Sequence, residues 1–432
     1  MIRLTTALII ASVVLACVTS QRNLARGTIP GCDLTLMRGM QVADSILPRE
    51  QVRATRPATD TLDASVYLVG DAGYPVHAPA SVLAHVQAQI LAQATRTGLG
   101  ATGPQQWVIY LGDNAYPAGV PSATGAPQAE LEDAACALQQ QIEAVPSPAR
   151  VVFLPGNHDW RPTGCVKAFT PQIINCLRSL QSKDPVAIER EGKLLDGSAN
   201  GRVSFRPNGG CPGPSELRIG SRLVLLPFDS EWMLRHADNL PDAHCGGLTF
   251  SSVIDSLDTH SRLAPASDFV MVAAHHPMQS GGEHGNACGG PSGLAGRAVT
   301  DIRKAAEIGQ DFSGEAYGDL RTRLIDRLNM ARRPIAYASG HDHTLQVFAG
   351  GPPGRRVHYL VSGAGSVDTH ESSCVSWRPG MVYPFSSAEG FVRETPNGFM
   401  RVDVYRPRGV RVTIFTVTGS GMLSRAASFL LE

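Results

Sequence analysis

The chain reads as a layered α/β protein whose strand ends carry a set of metal-binding side chains. Three observations predict this. Five short apolar runs, rich in β-branched and aromatic residues, each stop at a Gly, Pro or Asn boundary. Helical periodicity separates the first three runs, so strand and helix alternate as in an α/β layer. Each run also leads into a potential ligand: Asp71, Asp113, Asn157, His275, and the pair His341 and His343. In such folds the strand ends open onto one rim where ligands collect. Mixed oxygen and nitrogen donors of this kind suit hard or borderline ions held as a pair.

In chain order, Ser65-Val66-Tyr67-Leu68-Val69 is the first strand and delivers Gly70-Asp71. Pro79 then opens a helix whose apolar positions, Val82, Leu83, Val86, Ile90 and Leu91, recur at three and four, with Gly98 to end it. Trp107-Val108-Ile109-Tyr110-Leu111 delivers Gly112-Asp113-Asn114. A helix through Leu131, Leu138 and Ile142 leads to Arg150-Val151-Val152-Phe153-Leu154, ahead of Gly156-Asn157-His158-Asp159. Between residues 157 and 250 the pattern changes to short strands at 202–205, 217–219 and 222–228, joined by Gly/Pro-rich loops. A helix over 251–262 precedes Phe269-Val270-Met271-Val272-Ala273 and His275-His276-Pro277. The Gly-rich stretch 281–314 is long enough to serve a site and carries a predicted helix at 301–308. A helix over 320–331 feeds Pro334-Ile335-Ala336-Tyr337-Ala338-Ser339, which ends at Gly340-His341-Asp342-His343. Stretches 357–362, 400–405 and 410–417 alternate apolar and polar residues like antiparallel strands.

Composition excludes some classes. Net charge is +0 and no Lys/Arg cluster stands out, so nothing electrostatic points to a nucleic-acid partner. The 44 Gly and 30 Pro imply much loop around a compact centre. Residues 1–17 read as an export signal: Arg3, an apolar run too short to span a bilayer, then Val14-Leu15-Ala16-Cys17. That tetrad resembles the bacterial lipobox. A lipidated Cys17 would tether the chain to the periplasmic or outer face of a membrane, and ordinary secretory cleavage stays open beside it. Residues 18–64 are polar and irregular, apart from weak periodicity over 34–46, and read as an arm that Cys32 can staple. Eight cysteines follow Cys17, none spaced as CxxC, which argues for disulfides over a zinc knuckle. Cys136 falls in a helical pattern and could equally be a buried thiol. With no repeat and no clean linker, residues 65–432 read as one catalytic domain.

Taken together, Gly70-Asp71-Ala72-Gly73, Gly112-Asp113-Asn114-Ala115-Tyr116, Gly156-Asn157-His158-Asp159, Ala274-His275-His276-Pro277 and Gly340-His341-Asp342-His343 resemble the five ordered blocks of the calcineurin-like metallophosphoesterases. Within that family the pattern is similar to the purple acid phosphatases, above all the small tartrate-resistant type. Many relatives place a histidine where this chain has Gly73, and Tyr116 can supply the missing ligand. Gly119-Val120, Glu283-His284-Gly285, Leu345-Gln346 and Tyr359-Leu360-Val361-Ser362-Gly363-Ala364-Gly365 extend the resemblance across residues 66–417.

The resemblance implies a four-layer αββα sandwich of two mixed sheets, with a dinuclear metal site at the strand ends. It implies that Asp71, Asp113, Tyr116 and His343 hold Fe(III). Asp113 would bridge to Fe(II), Zn(II) or Mn(II) on Asn157, His275 and His341. His158 and His284 match histidines that orient phosphate or protonate the leaving oxygen. His276 departs from the family's usual tyrosine and reads either as an extra donor behind the ligands or as a packed ring. Asp159, Trp160 and Asp342 read as structural. The implied activity is hydrolysis of a small phosphorylated substrate, as a phosphomonoesterase. A phosphodiesterase or nucleotide pyrophosphatase would use the same metals. A protein Ser/Thr phosphatase is disfavoured, because Asp113 leads to Tyr116-Pro117 rather than to GDxxDRG. A lapsed, lipid-anchored binding protein is the reading from another class, and the complete ligand set argues against it. Neither the physiological substrate nor the oligomeric state is written in these residues.

Overall fold

A computed structural model describes Cys32 and residues 61–74, 82–97, 103–121, 127–160, 183, 185–285, 312, 314–331, 333–350, 356–366, 374–384, 392–394, 396–418 and 421–432. The export signal with Cys17, the periodicity over 34–46, the helix expected at 301–308, and Cys165, Cys176 and Cys288 lie outside these residues.

Sixteen strands are described: β1 (Thr61–Val69), β2 (Gln105–Tyr110), β3 (Arg150–Phe153), β4 (Val203–Phe205), β5 (Leu217–Ile219), β6 (Leu223–Pro227), β7 (Phe269–Ala273), β8 (Ile335–Ser339), β9 (Leu345–Phe348), β10 (Val357–Ser362), β11 (Cys374–Ser376), β12 (Met381–Tyr383), β13 (Val392–Glu394), β14 (Asn397–Arg406), β15 (Val410–Val417) and β16 (Leu423–Leu430). They form two seven-stranded mixed sheets, ordered β16-β15-β14-β1-β2-β3-β4 and β12-β9-β10-β8-β7-β6-β5, plus the ribbon β11-β13. Strands β1 to β4 run parallel in the first sheet, as do β6, β7, β8 and β10 in the second.

Side-chain alternation explains how the layers stack. Val66, Leu68, Ile109, Leu111, Val152 and Leu154 from the first sheet share one core with Leu223, Leu225, Met271, Ala336, Ala338 and Leu360 from the second. The intervening residues, such as Tyr67, Val69, Val108, Val270 and Val272, point to the opposite faces and join the core that the helices complete. Helix Val82–Thr97 contributes Val82, Leu83, Val86 and Ile90, and helix Gln128–Glu143 contributes Leu138 and Ile142. On the second sheet's side, helix Phe250–Leu263 starts at a Thr249/Ser252 capping box and buries Val253, Ile254 and Leu257. Helix Glu315–Asn329 buries Leu320, Leu324 and Leu328, each worth roughly 1.5–3 kcal/mol once out of water. The result is the expected sandwich of two mixed sheets flanked by helices.

Three sequence expectations change. Strand β10 is parallel to β8, pairing Val357 with Ile335 and Tyr359 with Tyr337, and only its other edge is antiparallel. Its residues are buried almost throughout, so the strand needs no polar face. Cys136, left open between a disulfide and a buried thiol, is disulfide-bonded to Cys32 at an S–S distance of 2.08 Å, which ties Cys32 to helix Gln128–Glu143. Strand β1 begins at Thr61 rather than Ser65, because Thr61 and Leu62 pair with Arg406 and Tyr405 of β14 across an irregularity before Ala64. Helices Val186–Leu195 and Ser230–Arg235, together with β9, β12 and β16, are not among the sequence expectations. A second disulfide joins Cys211 to Cys245. Two disulfides fit an oxidising compartment. Among the described residues no helix is long and apolar enough to cross a membrane.

Candidate metal centre

Strands β1, β2, β3, β7 and β8 all stop at the same edge of the sandwich, and the two sheets touch there through backbone. Gly70 N donates to Ser362 O at 2.7 Å, and Gly365 N donates to Gly70 O at 3.0 Å. A Cβ on Gly70 would lie 2.8 Å from Gly340 Cα, so the glycines of two motifs let the strand ends meet. Gly156 works similarly, since its Cβ would lie 2.2 Å from Asp113 Oδ1. Asp71, Asp113 and His341 adopt left-handed backbone, with φ of 59°, 55° and 70°. Such conformations cost about 1–3 kcal/mol each in a non-glycine residue and gather at functional sites.

Every expected ligand is brought to this edge. Tyr116 Oη lies 3.1 Å from Asp71 Oδ1, 3.1 Å from Asp113 Oδ2 and 2.9 Å from His343 Nε2. His343 Nε2 is 3.3 Å from Asp71 Oδ1. These four atoms form one set. Asn157 Oδ1 lies 2.8 Å from His275 Nε2 and 3.1 Å from His341 Nδ1, and the two ring nitrogens are 3.2 Å apart. Asp113 Oδ2 is 3.4 Å from His275 Nε2 and so belongs to both sets. Separations of 2.8–3.4 Å between neighbouring donors are those around an ion with bonds of about 2.0–2.2 Å.

The protonation pattern fits cations as well. His275 Nδ1–H donates to the carbonyl of Leu111 at 2.8 Å, leaving Nε2 as a lone pair aimed into the centre. Around it stand Asn157 Oδ1, His341 Nδ1 and Asp113 Oδ2, all electron-pair donors. Burial alone would lower the His275 pKa, but the Asp113 and Asp71 charges and the hydrogen bonds to Asp113 and Leu111 outweigh it and raise the value. Burial would likewise raise Asp113, yet His275 and His158 hold it far below the ordinary carboxylate range. Buried Asp71, Asp113 and His275 place one ligand atom each within 4.8 Å of one another. The other such group among the described residues, Cys211, His244 and Cys245, has its sulfurs committed to the Cys211–Cys245 disulfide.

The centre opens on the side of His343, 13% exposed, and His158, 17% exposed. His158 Nδ1–H donates to Pro117 O at 2.6 Å, and Nε2 faces Asp113 Oδ2 at 3.9 Å. His284 stacks on His341 with ring centroids 3.9 Å apart, and its backbone N donates to Asp342 Oδ1 at 2.9 Å. His276 is fully buried behind the nitrogen ligands. Its Nδ1 lies 2.8 Å from Ser230 Oγ and its Nε2 3.6 Å from Glu231 Oε2, while the ring packs on both His275 and His341. Its ring thus packs against two of the expected ligands while its nitrogens face Ser230 and Glu231.

Asp159, Trp160 and Asp342 are structural, as expected. Asp159 accepts from the backbone N–H groups of Asp113, Asn114 and Gly156 at 2.8–3.0 Å. Asp342 accepts from Ser280 Oγ and from His284 N. Trp160 Nε1 donates to Asp229 Oδ2 at 2.8 Å. The sequence reading missed Asp229, Ser230 and Glu231, which follow β6. The one available signal was that β6 also ends at a carboxylate and a hydroxyl.

No protein-family model matches the chain, and no curated protein matches it. Among solved structures, the chain is similar to GAP50, the anchor in the inner membrane complex of Plasmodium, at 14% identity. That match covers 86% of this chain and 89% of the other, with a TM-score of 0.46. The phosphopantetheinyl hydrolase from Mycobacterium tuberculosis is similar at 11% identity over 76% of this chain and 99% of that one, with a TM-score of 0.29. Neither likeness carries an argument about activity, so function is read from the centre itself.

Proposed function

We propose that this chain is a metal-dependent hydrolase of phosphoric monoesters, acid-phosphatase-like and of the calcineurin-like metallophosphoesterase kind. The reading is carried by Asp113 Oδ2, which belongs to two four-atom donor sets at once. In this reading Asp71, Asp113, Tyr116 and His343 hold Fe(III), because a phenolate and two carboxylates supply hard anionic oxygen. Asp113, Asn157, His275 and His341 hold the more weakly charged Fe(II), Zn(II) or Mn(II). When bound, such a pair supplies Lewis acidity toward phosphoryl oxygen and acidifies a water near neutral pH. The protein's own residues do the rest. Asp113 stays ionised, and His275 keeps its lone pair inward through Leu111. His158 presents Nε2 on the open side, where its imidazolium form donates to a phosphoryl oxygen while Nδ1–H stays on Pro117 O. Water that has released a proton to solvent attacks phosphorus in line as the P–O ester bond breaks, and His284 gives a proton to the departing oxygen and regains one from solvent. The mature chain is exported and held at a membrane face through lipidated Cys17, which partitioning of wild type against Cys17→Ser would test.

The test pairs elemental analysis with turnover of p-nitrophenyl phosphate. Two ions per chain, and turnover lost on chelation and restored by metal, is the expected result. Full metal content without turnover on this ester or on bis(p-nitrophenyl) phosphate would instead identify a binding protein. Metal-free, inactive protein that takes up no ions would overturn the reading.

A further inference from the structure

Helix Val186–Leu195 supplies no ligand and belongs to no motif, yet it grips the loop that does. Glu191 Oε1 accepts from Asn114 Nδ2 at 3.0 Å, and Arg190 Nη1 donates to Val120 O at 2.8 Å. These consecutive residues bracket the stretch 113–120, which carries both Asp113 and Tyr116. The helix is itself anchored elsewhere, through buried Ile188 and Leu195 and through Gly192 lying flat on Phe205 of β4. Glu191 is completely buried, and the Asn114 Nδ2 that it holds also donates to Asp159 Oδ2 at 3.1 Å, the acceptor for the amides of Asp113, Asn114 and Gly156. Burying a carboxyl costs several kcal/mol that a well-packed apolar side chain would not. Packing therefore does not explain Glu191. What its neighbours need is orientation, because Asp113 sits in a left-handed conformation that persists only where its surroundings over-determine it.

We propose that Glu191 is a positioning residue for the bridging carboxylate. Acting through Asn114, whose Nδ2 it shares with Asp159, it holds the 113–120 loop so that Asp113 Oδ2 lies between the two donor sets. The inference rests on the two-ion reading of the centre. It is tested on metal-free protein by calorimetric titration with Zn(II), alongside amide exchange over residues 113–115. Glu191→Ala should weaken Zn(II) binding about 10–100-fold, as loss of a ligand-orienting partner does. It should also speed exchange at those amides roughly tenfold, since a local opening released by about 1.4 kcal/mol reads as that factor. Glu191→Gln keeps an acceptor for Asn114 and should bind within about threefold of wild type, an energy well under 1 kcal/mol. Should the alanine variant fail to fold, Glu191→Met conserves volume and reads the same quantities. A lower melting temperature with wild-type Zn(II) affinity and unchanged exchange would make Glu191 merely structural and overturn the proposal. Equal losses in the Gln and Ala variants would overturn it too, by showing that charge rather than orientation acts. If wild type binds no Zn(II), the two-ion reading fails, and the exchange measurement still decides whether Glu191 holds the loop.

Discussion

The two sheets contribute to the centre in different chemistry and by different means. The first sheet supplies every oxygen donor, with Asp71 after β1, Asp113 and Tyr116 after β2, and Asn157 after β3. The second supplies every nitrogen donor, with His275 after β7 and His341 and His343 after β8. On the oxygen side the backbone is pinned, since Asp159 takes four amides from two loops and both aspartates sit at positive φ. On the nitrogen side the rings are pinned, by Leu111 O, by stacking among His276, His284 and His341, and by Ser230 and Glu231 behind them. A carboxylate on a one-carbon arm goes where its Cα goes, whereas an imidazole is aimed by its second nitrogen and by packing on its face. Each half is therefore held where its donors are most sensitive.

The heaviest blow to that arrangement is at Asp113, the residue both donor sets share. Asp113→Asn should lower the content of both ions together and cut turnover by more than the roughly 10–100-fold typical of an outer partner. Elemental analysis decides it, and full occupancy of both ions in the variant would remove Asp113 from the bridging role.

His284 sits on the nitrogen side but, in our reading, faces substrate. Its replacement by Ala should cost alkyl phosphates about 10²–10⁴-fold, where the leaving oxygen needs a proton, and aryl phosphates much less. Equal losses on both would leave His284 as a phosphate-orienting group alone.

The two buried carboxylates beside the ligands sharpen the contrast in stability. Asp159→Ala orphans four buried backbone donors at roughly 1–3 kcal/mol each, so urea denaturation should show a loss of several kcal/mol. Asp342→Asn keeps an acceptor for His284 N and should cost about 1 kcal/mol. Comparable losses would mean that both halves are braced alike.

The last test, visible only as a pH dependence, concerns the tie between the halves, where Trp160 from the oxygen side donates to Asp229 on the nitrogen side. Burial raises the Asp229 carboxyl from 3.8 to about 7, against hydrogen bonds from Trp232 and Trp160 that lower it. A carboxyl raised in the folded state stabilises fully below about pH 4, and that stabilisation is lost as pH rises through about 7. Asp229→Asn should therefore flatten the fall in stability between those values, by roughly 1–4 kcal/mol across the window. Denaturation at three pH values checks this, and an unchanged slope would show that Asp229 stays ionised.

The five strands that end in ligands, and the ligand types themselves, were legible because both are local. A β-branched run stopped by Gly or Asn needs no distant partner to be recognised, and strands at 217–219, 357–362 and 410–417 fall where the residues place them. Tertiary structure alone decided the rest. That β10 runs parallel to β8 depends on a neighbour about twenty residues away, and the Cys32–Cys136 pairing on one 104 residues away. That His341 turns Nδ1 inward while His275 and His343 turn Nε2 inward follows from left-handed backbone at one and the hydrogen bonds and contacts of the others. Glu191, Asp229 and Glu231 read along the chain as ordinary surface charges; only the packing of helices against sheet ends buries them beside the ligands. Residue type and spacing name the atoms that can bind a metal. Long-range packing sets where those atoms point, because orientation is a property of the surroundings and not of the residue.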